Sequence, residues 1–156
     1  KIGWLVIFAY FTMLPYKITA GGFHLKTNIG CTIGTLTIYY GNVLISKYII
    51  WTSIYAKYTV IFMIFVFSII MVSLYAPADT VNLPILTKRE RKTKRILSYV
   101  FATITLLVAI IIKDNILSNI LLLNVLIESI CISKVAYKLT KNEYGYENYL
   151  KELKVR

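Results

Sequence analysis

Apolar residues fall along this chain in long blocks separated by polar connectors, and the blocks approach the roughly 20 residues that a helix needs to cross a bilayer. Ile2 to Leu14 is the first block. Pro15 stops it, since proline removes a helix hydrogen bond and crowds the preceding turn. The run is too short to span alone, and no small-residue cleavage site follows it as in a signal peptide. Lys1 opens directly onto it, so residues upstream are expected, with Ile2 to Leu14 the end of a first crossing. Residues 16–30 then read as a polar, glycine-bearing connector. Residues 31–53 read as one crossing rich in β-branched residues, with Lys47 placed to snorkel at its far end. Tyr58 to Tyr75 is uncharged throughout and ends before Pro77. Residues 76–95 form the most polar loop. Ile96 to Ile112 crosses again, Lys113, Asp114 and Asn115 make a tight turn, and Ile116 to Tyr137 crosses back. Residues 138–156 are a charged tail, in which Tyr144, Tyr146, Tyr149, Leu150 and Leu153 leave a weak apolar stripe. The pattern predicts an all-α, polytopic transmembrane helical bundle with about five membrane helices, in a single domain covering 1–156.

Composition narrows the partners. Hydrophobic residues make up 58% of the 156, too many for an ordinary soluble domain. The net charge is nevertheless +11, and the basic residues gather in connectors, as the positive-inside rule expects. The lipid bilayer, and not nucleic acid, therefore accounts for the basicity. The loop at 76–95 carries six basic residues (Lys88, Arg89, Arg91, Lys92, Lys94, Arg95) against Asp79 and Glu90, and is assigned to the cytoplasm. Counting crossings from there puts 54–57 outside, 16–30 inside, the Lys113 turn outside and the tail inside. Of two cysteines, Cys31 ends a polar connector and Cys131 lies in a predicted crossing, so no disulfide is expected.

That arrangement places a candidate nucleophile at the cytoplasmic face. His24 is the sole histidine, and Cys31 follows it by seven residues. A thiol attacks well only as thiolate, which a neighbouring imidazole or a positive field supplies. On a straight helix the two would share a face but lie about 10 Å apart along the axis. Gly21, Gly22 and Gly30 permit a tighter path. A bend between His24 and Gly30 is expected, with Cys31 at or near a helix N-terminus, where the dipole favours thiolate and N–H groups can hold an oxyanion. Lys17 and Lys26 add positive field. A reducing compartment keeps Cys31 free. The plain alternative is that both side chains pack or face solvent. A metal site is not expected, because one histidine and one cysteine fall short of three or four ligands, and no cofactor is implied.

The run Gly21-Gly22-Phe23-His24-Leu25-Lys26-Thr27 followed by Cys31, inside a hydrophobic chain, resembles the accessory gene regulator B (AgrB) family of bacterial membrane cysteine peptidases. A second match, Ala76-Pro77-Ala78-Asp79-Thr80 with Asn82, Pro84 and the basic run, is similar to that family's other signature. The resemblance implies an endopeptidase of quorum sensing that cleaves an AgrD-like propeptide. Cys31 would be the nucleophile and His24 the general base. The peptide, held as a thioester, would then close to a cyclic thiolactone or lactone. Gly22 matches the family's glycine before the histidine. Lys17 stands where many members have arginine, and Leu25 replaces a small residue. The resemblance also points to a homodimer.

Other residues carry two readings each. Asp79 can orient His24 as a third catalytic member or simply cap a turn. The basic run can signal topology and meet headgroups, or Lys88, Arg89 and Arg91 can attract the acidic C-terminal segment of such a propeptide. Asn124 and Glu128, four apart in the last crossing, read as structural or dimer-interface residues, and Cys131 as packing. The competing functions are a peptide exporter and a non-catalytic membrane component. An exporter favours several intramembrane charges, broken helices or repeats; only Glu128 lies well inside a crossing. A scaffold needs neither His24 nor Cys31.

Overall fold

A computed structural model describes residues 2–24 and 27–155. Leu25 and Lys26, and what was expected of them, lie outside the described residues. The described residues form helices and no strand: α1 (Ile2–Ala20), α2 (Asn28–Tyr48), α3 (Ile54–Tyr75), α4 (Lys88–Ile111), α5 (Asn115–Cys131), α6 (Lys134–Leu139) and α7 (Gly145–Val155). Helices α1 to α4 are each long and apolar enough to cross a membrane. Their outward faces carry Trp4, Phe11, Phe62, Met63, Leu74 and Ile111, all largely exposed, as lipid-facing surfaces are.

Helix α5 is shorter, at 17 residues, and sits in the middle, packed against α1, α2, α3 and α4. Its polar residues hold it there. Asn124 donates to Ala9 O and Thr12 Oγ1 on α1 (both 2.9 Å) and accepts from Asn42 on α2 (2.7 Å). Asn119 donates to the carbonyls of Ser46 and Ile49 (3.0 Å each) and accepts from Trp51 Nε1 (2.7 Å). Such bonds join helices where burial of apolar surface drives little. Asn124 is thus a structural residue within one chain. Glu128 is fully buried and does not present itself to a partner subunit.

Four boundaries differ from the pattern. Helix α1 runs through Pro15 to Ala20, so 16–20 are helical and Lys17 lies in its last turn. Proline removes one N–H, a loss that helices of membrane proteins tolerate. Helix α2 ends at Tyr48 and not at 53, because Asn119 and Trp51 engage residues 49–51 and Ser53 caps α3. The basic run is no loop: it forms the first two turns of α4. Lys, Arg and Glu are good helix formers, and Glu90 pairs with Lys94 one turn on (3.4 Å). Finally, the crossing expected over 116–137 breaks after Cys131. Ser133 caps a separate α6 by accepting from Ala136 N (3.3 Å), which turns the charged chain away.

The five long helices alternate in direction. Residues 21–24, 76–87 and 132–144 therefore meet at one end of the bundle, together with the basic start of α4.

Candidate active site

The meeting point is built around two glycines. Gly21 (φ +83°) and Gly22 (φ +138°) occupy conformations that other residues resist. They let the chain leave α1 and run beside 76–80 as a single parallel bridge between Gly21 and Ala78. Gly22 N donates to Ala78 O (2.9 Å), and Ala78 N donates to Ala20 O (2.7 Å). A side chain on Gly21 would strike the Ala78 carbonyl. The C-terminal segment packs over the same strip. Tyr137 donates to the carbonyls of Ala78 (2.9 Å) and Asp79 (3.1 Å), and its ring stacks on Tyr144 at 4.1 Å. Burial holds the Tyr144 hydroxyl above the usual phenol range, so it remains a donor to Ile132 O (2.8 Å).

From this strip the chain emerges at His24 and enters α2. Thr27 caps α2, accepting from Gly30 N (3.1 Å), and Cys31 N donates to Thr27 O (2.9 Å). Cys31 thus sits one turn into the positive end of a helix, as expected. Gly30 is part of that first turn. Cys31 Sγ lies 3.7 Å from His24 Nδ1. The two side chains meet, and this is the thiol–imidazole contact that the spacing alone left open. The N–H groups of Gly30 and Cys31 are already engaged, so an oxyanion held by this terminus would turn to those of Asn28 and Ile29. His24 is exposed and Cys31 half-buried. Both open onto a cavity of about 550 Å³ that Lys17, Gly22 and Glu128 also line.

Asp79 is placed otherwise than a third catalytic member would be. Its Oδ2 accepts from Arg91 Nη1 (3.1 Å) and from Ile85 N (2.9 Å); no hydrogen bond joins it to His24 among the described residues. Arg91 in turn lies over the Tyr146 ring (4.3 Å from its centre), which fastens α7 to this end. Lys88 and Arg89 are exposed on the first turn of α4. Asp79→Ala should therefore lower the midpoint of thermal unfolding in detergent, by the equivalent of ~3 kcal/mol, since it strands a half-buried guanidinium. Lost cleavage at unchanged stability would instead make Asp79 a partner of His24.

Two residues at the site carried no sequence signal for it. Asn142 Nδ2 donates to His24 O (2.8 Å), while Asn142 N donates to Tyr137 O (2.9 Å). Nothing local marks an asparagine in a charged tail as a support for a histidine 118 residues away. Glu128 was visible only as an intramembrane carboxylate.

Comparison with known proteins identifies the family. The sequence profile described as accessory gene regulator B matches residues 1–132. A protein of Listeria welshimeri serovar 6b described as AgrB-like is 26% identical over 129 residues, covering 82% of this chain and 61% of its own length. An AgrB-like protein of Clostridium acetobutylicum is 24% identical over 152 residues, covering 95% of this chain and 69% of its own. This chain therefore spans about three fifths of the length of the Listeria relatives it matches. No solved structure matches it significantly. With the profile covering most of its length, the chain belongs to the accessory gene regulator B family.

Proposed function

We propose that the chain is a membrane cysteine endopeptidase that cleaves an AgrD-like propeptide and promotes its cyclisation to a quorum-sensing peptide. The observation that carries this reading is the 3.7 Å approach of Cys31 Sγ to His24 Nδ1 beside a cavity. The contact is long for a finished catalytic hydrogen bond, and such contacts tighten when substrate arrives. The backbone of residues 21–24 hangs from the Ala78 strip and from Asn142, so two separate segments of chain position His24.

In this reading His24 Nδ1 takes the Cys31 proton as Sγ attacks a propeptide carbonyl. The tetrahedral adduct collapses with rupture of its C–N bond, and the imidazolium returns the proton to the departing amine. The C-terminal fragment leaves, and the remainder stays as a thioester on Cys31. An internal thiol or hydroxyl of the peptide then attacks that carbonyl, passing its proton to His24. Cys31 leaves as thiolate and is reprotonated. Partial burial of Cys31 beside the cavity limits competing attack by water.

The basic start of α4 lies at the same end as the dyad. By the positive-inside rule we assign that end to the cytoplasm of a bacterial cell membrane. Lys88 and Arg89 are free to meet an acidic C-terminal segment of the propeptide, whereas Arg91 is held by Asp79. Reversing charge at Lys88 and Arg89 together should raise KM about 10-fold at low salt, with kcat little changed, and added salt should shrink the difference. Equal kinetics at low salt would remove this contact from the reading.

The whole proposal is tested by incubating the purified chain with a candidate propeptide and following masses. Release of a C-terminal fragment together with a covalent adduct of the remaining peptide is expected. Intact propeptide across the candidates, with the protein folded, would count against it.

A further inference from the structure

The buried polar side chains of α5 are satisfied with one exception. Ser118 donates to Ala109 O (2.7 Å), Asn119 and Asn124 make the bonds given above, and Ser129 donates to Val125 O (2.7 Å) while meeting Tyr16 Oη (3.0 Å). Glu128 is fully buried, and neither carboxylate oxygen has a partner among the described residues. Asp79 has one open oxygen as well, but its other is held by Arg91. A carboxylate with no partner at all is among the costliest groups to bury.

Its position is specific. Oε1 lies against Gly22, where an added Cβ would come within 3.4 Å of it. The carboxylate also borders the cavity onto which His24 and Cys31 open. Elsewhere that cavity is mostly apolar, with Leu14, Phe23 and Ile38 on its wall. The other charged side chain on it is Lys17, which does not reach ion-pair distance of Glu128 among the described residues. An acceptor and a cationic donor thus share one mostly apolar cavity beside the nucleophile. A peptide bond presents an N–H and a C=O in opposite directions and satisfies both. A cationic side chain would suit Glu128 but would meet Lys17.

We propose that Glu128 and Lys17 form a subsite for the substrate's main chain: the Glu128 carboxylate accepts the N–H of an amide next to the bond that Cys31 attacks, and Lys17 donates to a neighbouring carbonyl. Glu128 is then a substrate-binding residue, and its open valence in the free protein is filled when peptide enters. Gly22 brings the main chain into contact range of this carboxylate, and its φ of +138° disfavours any side chain there. The inference rests on the peptidase reading.

The test is a cycle of protein and substrate changes in the full chain. Synthetic propeptides that the wild type cleaves are prepared with single main-chain N-methyl groups on either side of the cleaved bond. One position is expected to lower kcat/KM of the wild type about 30-fold. In Glu128→Leu the parent peptide should lose a similar factor, and the same N-methyl group should then cost less than about 3-fold. Glu128→Leu should also unfold at no lower temperature than wild type, since it removes a buried polar group with no hydrogen-bond partner among the described residues; Glu128→Met serves the cycle equally if the leucine variant does not fold. Equal N-methyl penalties in wild type and variant, or undiminished kcat/KM in the variant, would overturn the subsite while leaving the peptidase intact. If the wild type cleaves nothing, the same cycle is read as the Kd of fluorescent peptides for Cys31→Ala with and without the Glu128 change. Coupling there supports the subsite without the chemistry, and its absence removes it.

Discussion

Cys31→Ala should lose fragment release by on the order of 10⁴-fold or more and form no covalent adduct, because it removes the only atom proposed to hold the acyl group. His24→Ala should lose less, about 10²- to 10⁴-fold, the usual worth of a general base. The two losses differ in kind. Without the imidazole the thiol is still present at the positive end of α2 and keeps some reactivity of its own, whereas Cys31→Ala has no sulfur to react. Cys31→Ser should be nearly as inactive as alanine, since imidazole does not readily ionise an alcohol. Both variants should insert and unfold like wild type, because His24 is exposed and Cys31 only half-buried. Cleavage with a normal adduct mass in Cys31→Ala would end the peptidase reading.

Gly21→Ala is expected to be the most damaging single methyl group in the chain. Its φ of +83° disfavours any L side chain, by roughly 1–2 kcal/mol. The new Cβ would also run into the Ala78 carbonyl, which is backbone and has no rotamer to yield. Overpacking of this kind costs about 1–3 kcal/mol. To relieve it, the 76–80 strip must separate from 20–22, breaking the bonds of Gly22 N to Ala78 O and of Ala78 N to Ala20 O. His24 hangs from that strip, so cleavage should fall with stability although both reacting side chains are untouched. Gly3→Ala and Gly41→Ala provide the control, because nothing lies within 4 Å of either new methyl. Equal thermal midpoints and cleavage rates for Gly21→Ala and those controls would refute this account of the site.

The membrane architecture was legible because a crossing is a local property. Twenty apolar residues in a row satisfy their own backbone and need no partner to be recognised. The same locality explains the boundary errors. Pro15 reads as a stop by itself, but a membrane helix tolerates one lost N–H and α1 runs on to Ala20. Residues 88–95 look like a loop because they are polar, yet polarity does not oppose a helix, and Asp79 anchors this one through Arg91. The break after Cys131 depends on Ser133 capping α6, a small effect beside the apolar run around it.

His24 and Cys31 were legible as a pair because their chemistry is rare and their spacing short. Asp79 carried two readings from the sequence, a support for His24 or a turn cap, and in the fold its carboxylate meets Arg91 and Ile85 N. Asn142 and Glu128 show where the chain's own text stops. One asparagine and one glutamate at those positions have many possible duties, and the choice is made by what three-dimensional packing brings within about 3 Å.

By itself, then, the order of residues determined the helical membrane class, the basic end and the His24–Cys31 pairing, since each depends on near neighbours in the chain. Tertiary structure alone decided that imidazole and thiol touch, that the 76–80 strip carries the glycine turn, and that one buried carboxylate lies beside them with no hydrogen-bond partner among the described residues. Hydrogen bonding and desolvation act through space over a few ångströms, and residues a hundred positions apart enter that range only once the chain has folded.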